Sequence, residues 1–334
     1  MSNTSSTPSG FQRNRFLSQL AGIAPLSNRS SLFGIGDDAA VVQYGNTLQV
    51  LTTDSLAEGI HFDLTYVPVK HLGYKAAVVN FSDVYAMNAR PRQLMVSLAL
   101  SAKMSSEWVD AFYEGVLAAC SEHGADLVGG DLTPSITGLF INVTVVGEVE
   151  KERIVYRNTM KEGDLICVTG DLGAAYLGLQ ILEREKRLFE QDNHFQPVLD
   201  GYNYVVQRQL KPVARKDITD YFEARGVLPT AMTDISSGLS HSLSTLCRAS
   251  HLGCRLYEHK IPIADESLRV ASELNQSPLV AALHGGQDYE LLFSVPADGY
   301  EAILTHGDIS ILGHAVSENE GITLFSESGE QITL

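Results

Sequence analysis

Residues 68–102 read PVKHLGYKAAVVNFSDVYAMNARPRQLMVSLALSA. Two periodicities meet in this stretch. From Pro68 to Met87, Leu72, Ala76, Val79, Asp83 and Met87 recur at helical spacing, so the segment is predicted to be a helix with one carboxylate on its apolar stripe. From Gln93 to Ala102, Leu94, Val96, Leu98 and Leu100 alternate with their neighbours, the period-2 pattern of a half-buried strand. Helix followed by strand is the theme on either side. Thr47–Thr53 is predicted as a strand ending at Asp54. Ser105 or Ser106 N-caps a helix that carries Trp108, Phe112 and Ala119 on one face and stops at Gly124. Asp126–Val128 is a short strand, and Gly138–Val149 is another alternating one. After a polar stretch at 150–153, Asp164–Thr169 is a strand leading into a glycine-started helix. Polar helices continue to about Arg225. Thr230–Ile235 and Asp288–Val295 are strands, with a helix over Ser237–Ser250 between them. The pattern is α/β to α+β throughout.

The chain has 334 residues, 24 Lys plus Arg and 40 Asp plus Glu, for a net charge of −16. That length suggests two domains, with a boundary in residues 150–163. No basic stripe offsets the acidic excess, which argues against a nucleic-acid partner. No apolar run is long enough to span a membrane. The N-terminus is expected to be a short disordered tail without a secretory core, and the chain to be cytoplasmic. Cys120, Cys167, Cys247 and Cys254 lack CxxC spacing and sit in apolar surroundings, as buried free thiols do.

The chemical signal is a set of carboxylates beside small residues at predicted element ends. It comprises Asp37 and Asp38, Asp54 after Thr52 and Thr53, Asp83, Asp131, Asp234 and Asp288. Clustered carboxylates repel one another and favour protonation. A hard divalent cation such as Mg²⁺ relieves that repulsion and lets an acidic cleft accept a polyphosphate. Each residue also has a structural reading. Asp37–Asp38 can be a turn or N-cap, Asp54 a strand-end cap and Asp131 part of a glycine turn. Asp83 on a core stripe needs a partner in any case. His61 is a candidate substrate contact or a structural histidine. Arg157 can face phosphates or form a surface ion pair. His194, His241, His251 and His306 show no interpretable arrangement. The sequence contains neither a P-loop nor a strand-linked GxGxxG, so an ATP site must be of another type.

Together the motifs GIGDDAA (34–40), TTDSLAEGIHF (52–62), NFSDVYAMNARP (80–91), LVGGDLT (127–133), VTGDLGAA (168–175), DISSGL (234–239) and GGQDYEL (285–291) resemble, in order and approximate spacing, those of thiamine-monophosphate kinases. The parent superfamily is that of aminoimidazole ribonucleotide synthetase. The resemblance implies a two-domain fold: residues 1–155 as an ATP- and Mg²⁺-binding α/β domain whose strands pair across a homodimer barrel, and residues 156–334 as an α+β domain. It implies direct phosphoryl transfer from ATP to thiamine monophosphate, with Asp54, Asp83 and Asp131 at the reaction. Metal ligands would be Asp38, Thr52, Thr53, Asp54, Asp83, Asp131 and Asp234, with Ser237 at a further metal position. ATP contacts would be Gly130, Asp131, Arg157 and Ser236. His61 and Gln287 would touch the substrate. Ser237 stands where the family has a metal-binding Asp, and Gln287 where it has Glu. The family's C-terminal aromatic has no counterpart. These departures keep open a weakened binding homologue, and the superfamily keeps open another ATP-using enzyme.

Overall fold

The computed structural model describes residues 13–101, 104–192 and 196–334. Ala102, His194 and residues 1–12 of the expected tail lie outside them. The first half runs α1 (Arg13–Ile23), β1 (Ser31–Phe33), β2 (Ala40–Tyr44), β3 (Thr47–Ala57), α2 (Val69–Ala86), β4 (Arg90–Ser101), α3 (Ser106–His123), β5 (Asp126–Ser135) and β6 (Phe140–Val149). Its strands form one sheet in the order β1-β2-β3-β6-β4-β5, with β4–β5 parallel and the other pairs antiparallel.

The helical stripe of the opening stretch becomes α2, and its surroundings explain its composition. Leu72, Ala76, Val78, Phe81 and Val84 are buried, as are neighbours right round the helix. The helix lies between the sheet and α3. Gly73 permits this approach, because a Cβ there would sit 1.9 Å from the Phe112 carbonyl oxygen. In α3, the Ser105 hydroxyl accepts from the Trp108 backbone N–H, and Gly124 closes the helix at φ 71°. Ile141, Val143 and Val145 fill the inner side of β6, with Leu139 buried just before it, as the alternation requires.

The second half contains β7 (Leu165–Thr169), α4 (Ala174–Gln191), α5 (Asn203–Leu210), α6 (Lys216–Arg225), β8 (Ala231–Asp234), α7 (Leu239–Ser250), β9 (Leu252–Tyr257), α8 (Asp265–Glu273), α9 (Pro278–His284), β10 (Leu291–Val295), α10 (Tyr300–Leu304), β11 (Ile309–Ser317), β12 (Ile322–Phe325) and β13 (Gln331–Thr333). Among the described residues its strands form a seven-stranded sheet ordered β13-β12-β9-β11-β7-β10-β8. Helices α4 and α5 pack their apolar residues, including Leu177, Ile181 and Val205, into the same core as α2 and the first sheet. All four cysteines are buried free thiols.

Three local expectations change. Strand β3 does not stop at Asp54, because its ladder with β6 continues through Ser55–Asn142 to Ala57–Phe140. Strand β5 does not end at Val128 but takes the Gly-Gly-Asp turn into its parallel ladder with β4, pairing Gly130 with Val96 and Asp131 with Ser97. Strand β10 begins at Leu291 rather than Asp288, because residues 286–289 turn sharply through positive φ at Gly286, Gln287 and Tyr289.

Candidate active site

The acidic set converges where β3, α2 and β8 meet the segment before β2. Asp38 and Asp234 are buried and Asp83 is half-buried; each presents a carboxylate oxygen within 4.8 Å of the other two. Strand alternation places Thr52 on the inner side of β3, where its hydroxyl donates to Asp83 Oδ2 at 2.6 Å. Ser82 donates to Asp234 Oδ2 at 2.9 Å, and Thr233 to Asp38 Oδ1 at 3.1 Å. The backbone N–H of Asp54 donates to Asn80 Oδ1 at 2.9 Å, which ties β3 to α2 beside the group.

Among the described residues, Arg157 is the cation that bonds to this group, through Asp38. Arg157 donates through Nη2 to Asp38 Oδ1 and through Nε to Asp38 Oδ2 at 2.8 Å. Its backbone N–H reaches Asp37 Oδ2 at 3.0 Å. The charge is under-compensated. Burial, then the charge of Asp38, pushes the Asp234 carboxyl up to about 7. Asp37 rises to about 7 for the same two reasons. Asp83 lies well above the ordinary carboxylate range, through burial and then through Asp234, Asp54 and Asp38. Asp54 therefore acts on the group electrostatically, although it is itself exposed.

Other expected residues fall elsewhere. Thr53 points to the opposite side of β3, donating to the Val143 carbonyl and lying 3.1 Å from the Thr144 hydroxyl. Asp131 is exposed on edge strand β5, in register with Ser97 on that same outer side. Strand order puts it three strand spacings from β3, roughly 14 Å at about 4.8 Å each. Gly130 is beside it. Ser236 and Ser237 are exposed just past β8 and line a small pocket with Arg157, Asp234 and His241. Asp288 is not in the group. It accepts from the backbone N–H groups of Gly173 at 2.9 Å and Ala175 at 3.3 Å, capping α4.

A separate cleft of about 430 Å³ holds both expected substrate contacts. His61, Phe62, Tyr66, Tyr176, Gln209 and Gln287 line it. His61 Nδ1 accepts from the Ala57 backbone N–H at 3.0 Å, which leaves the proton of a neutral ring on Nε2. Gln287 Oε1 accepts from Lys75 Nζ at 2.6 Å. Lys75 is missed by sequence reasoning, although a lysine inside an apolar helix is a signal of the same kind as Asp83. Asn80, Ser82 and Thr233, the supports of the acids, are missed as well. Asn80 and Ser82 were visible as polar positions in a helix buried all round.

Comparison with known proteins agrees with this architecture. Residues 36–149 match the AIR synthase related protein N-terminal domain, and residues 161–325 match its C-terminal domain. The thiamine-monophosphate kinase of Aquifex aeolicus is 35% identical over 288 residues, covering 86% of this chain and 88% of that protein. That of Bacillus subtilis is 31% identical, covering 81% and 79%. The chain belongs to the thiamine-monophosphate kinase family. A solved structure of AaThiL complexed with AMPPCP and TMP superimposes with a TM-score of 0.80 at 30% identity, covering 96% of this chain and 94% of that one. This chain is thus a thiamine-phosphate kinase by family, with the two-domain fold of that family. Among the described residues, no helix is long and apolar enough to cross a membrane.

Proposed function

We propose that this chain transfers the γ-phosphoryl group of ATP to thiamine monophosphate, giving ADP and thiamine diphosphate, with Mg²⁺ in the acidic group. The observation that carries this reading is the convergence of Asp38, Asp83 and Asp234 with too little positive charge to neutralise them. The donor set suits Mg²⁺, being all oxygen and mostly carboxylate. Asp38, Asp54, Asp83 and Asp234 would hold it, with the Thr52 hydroxyl fixing Asp83. Mg²⁺ bound there would supply positive charge against phosphate oxygens.

The chain's own residues position and support. Arg157 orients Asp38, Ser82 orients Asp234, and Asn80 anchors the backbone of Asp54. In the step, a phosphate oxygen of thiamine monophosphate bonds to the γ-phosphorus as the bond to the bridging oxygen of ADP breaks. In-line transfer of this kind needs positioning and charge neutralisation rather than a protein nucleophile. Phe62, Tyr66 and Tyr176 give the His61 cleft flat apolar walls for the heterocycles of the substrate. Gly130, Asp131 and Ser236 are proposed nucleotide contacts, and residues 1–155 the ATP- and Mg²⁺-binding unit.

A homodimer is part of the proposal. Edge strand β5 exposes Val128 and Leu132, each at 58%, and Phe140 on β6, two strands in from that edge, is 44% exposed. An apolar, unpaired edge of this sort is suited to a second copy. Coupled detection of ADP on mixing the chain with thiamine monophosphate, ATP and Mg²⁺ tests the function. Release of ADP that depends on thiamine monophosphate supports it. Binding of both ligands by calorimetry without turnover would favour a weakened binding homologue instead, the reading that Ser237 and Gln287 motivate.

A further inference from the structure

Lys75 is a buried lysine, and among the described residues no carboxylate pairs with it. Its Nζ donates to two carbonyl oxygens, the Gln209 backbone oxygen at 2.9 Å and Gln287 Oε1 at 2.6 Å. Gln209 Nε2 also approaches Gln287 Oε1, at 3.4 Å. Every hydrogen bond described for the Gln287 side chain therefore ends on its oxygen. An amide whose oxygen is held by donors must turn its NH₂ the other way. Gln287 lines the His61 cleft, so that is where its nitrogen is left to act. The backbone gives little latitude. Gln287 holds φ 62°, and its N–H donates to the Ser236 carbonyl at 2.8 Å.

The second amide shows the converse pattern. Gln209 is 4% exposed, and among the described residues its Oε1 is buried with no hydrogen-bond partner. A buried acceptor without a donor is costly unless a ligand or water supplies one. The cleft lining thus carries one uncommitted donor, on Gln287, and beside it one uncommitted acceptor, the enclosed Oε1 of Gln209. The amino group and adjacent ring nitrogen of an aminopyrimidine offer the complementary pair.

We propose that Lys75 is a positioning residue that fixes the amides of Gln287 and Gln209 as a donor–acceptor pair reading the aminopyrimidine edge of the substrate. This inference rests on the kinase reading above and adds to it the group that selects the heterocycle. It does not depend on the charge of Lys75. Burial draws the ammonium down to about 7, yet a neutral amine keeps two N–H bonds for the same two carbonyl oxygens.

The test is the ratio of kcat/KM for thiamine monophosphate to that for its analogue with a ring carbonyl in place of the pyrimidine amino group. That analogue reverses the donor and acceptor at the edge. The unaltered chain should prefer the amino substrate by roughly tenfold or more, the usual consequence of leaving built polar groups unmatched. Lys75→Met frees Gln287 to turn over, and should cut the preference to within about threefold while leaving KM for ATP in place. Gln209→Met, which keeps Lys75, should do the same and covers the case in which Lys75→Met does not fold. A preference that persists in either folded variant, or no preference in the unaltered chain, overturns the inference. Calorimetry with thiamine monophosphate alone separates the two levels. If the unaltered chain neither binds nor phosphorylates it, the kinase reading fails and this inference falls with it. Binding with a preference that the variants leave intact breaks this inference only.

Discussion

Two groups of buried acids lie in this molecule, and they are solved in opposite ways. In the second half, Glu290 is 1% exposed and fully answered. Arg208 Nη2 reaches its Oε1 at 2.8 Å, Arg215 Nη1 its Oε2 at 2.5 Å, and the Thr169 hydroxyl its Oε2 at 2.6 Å. Where β3, α2 and β8 meet, Asp38, Asp83 and Asp234 lie together, of these Arg157 bonds Asp38 alone, and Asp54 adds charge nearby. A compensated buried acid holds a fold together. An uncompensated group stores repulsion that folding elsewhere must offset, and that a bound cation releases. The contrast separates architecture from chemistry better than acidity does, since both regions are acidic.

The largest expected effect that sharpens this contrast is on rate. Asp83→Asn should lower turnover at least about a hundredfold, as the loss of one group stabilising transition-state charge does. It should also raise the melting temperature of the metal-free protein, because one repelling charge is gone while the Thr52 hydroxyl keeps an acceptor. A melting temperature that falls would assign Asp83 to the architecture instead. Glu290→Gln should do the reverse. It leaves the Arg208 guanidinium without its carboxylate partner, while Arg215 keeps Asp217 and Asp308, and should cost about 3 kcal/mol in chemical denaturation, while turnover of the folded fraction stays within about threefold.

The next effect is on pH dependence. Asp234 and Asp37 titrate near 7 in the folded chain against an ordinary value of 3.8. Between those values the folded state binds more protons than the unfolded state, so stability should fall as pH rises from about 4 to about 7. Thermal melts of the metal-free protein across that range measure it. Saturating Mg²⁺ at neutral pH should restore what is lost, since it binds only the folded group. A rising curve without Mg²⁺ would contradict the account. Smallest is the expected gain from Ser237→Asp, which lines the pocket beside Asp234. A severalfold increase in rate or in Mg²⁺ affinity is expected, read by steady-state kinetics at limiting Mg²⁺.

Much of this contrast was legible in the sequence, for local reasons. Asp83 on an apolar stripe announced itself because a helix buried all round tolerates few polar side chains. The alternation at 93–102 and 138–149 gave the centre of the first sheet, and Ser105 and Gly124 the ends of α3. What failed was non-local or depended on where strands end. The sequence pattern puts Asp54 at a strand end and Asp131 in a Gly-Gly turn, but cross-strand ladders carry β3 and β5 onward. That continuation puts Thr53 and Asp131 on the outer side of the sheet, away from Thr52. Asp288 looked like another site acid because nothing local shows that α4, more than 100 positions earlier, needs its cap. Strands β9, β11, β12 and β13 went unread. They are short or, in β11, interrupted by a register shift between Ile311 and Gly313. The meeting of Thr233 with Asp38 spans 195 positions and leaves no local trace.

The most direct measurement of the central claim is Mn²⁺ binding, followed by paramagnetic resonance in the presence of a non-hydrolysable ATP analogue, in the unaltered chain, Asp83→Asn, Asp234→Asn and Glu290→Gln. Tight binding is expected in the unaltered chain and in Glu290→Gln, and its loss in both aspartate variants. Equal binding by Asp83→Asn and Asp234→Asn in folded protein would show that the under-compensated acids are not a cation site.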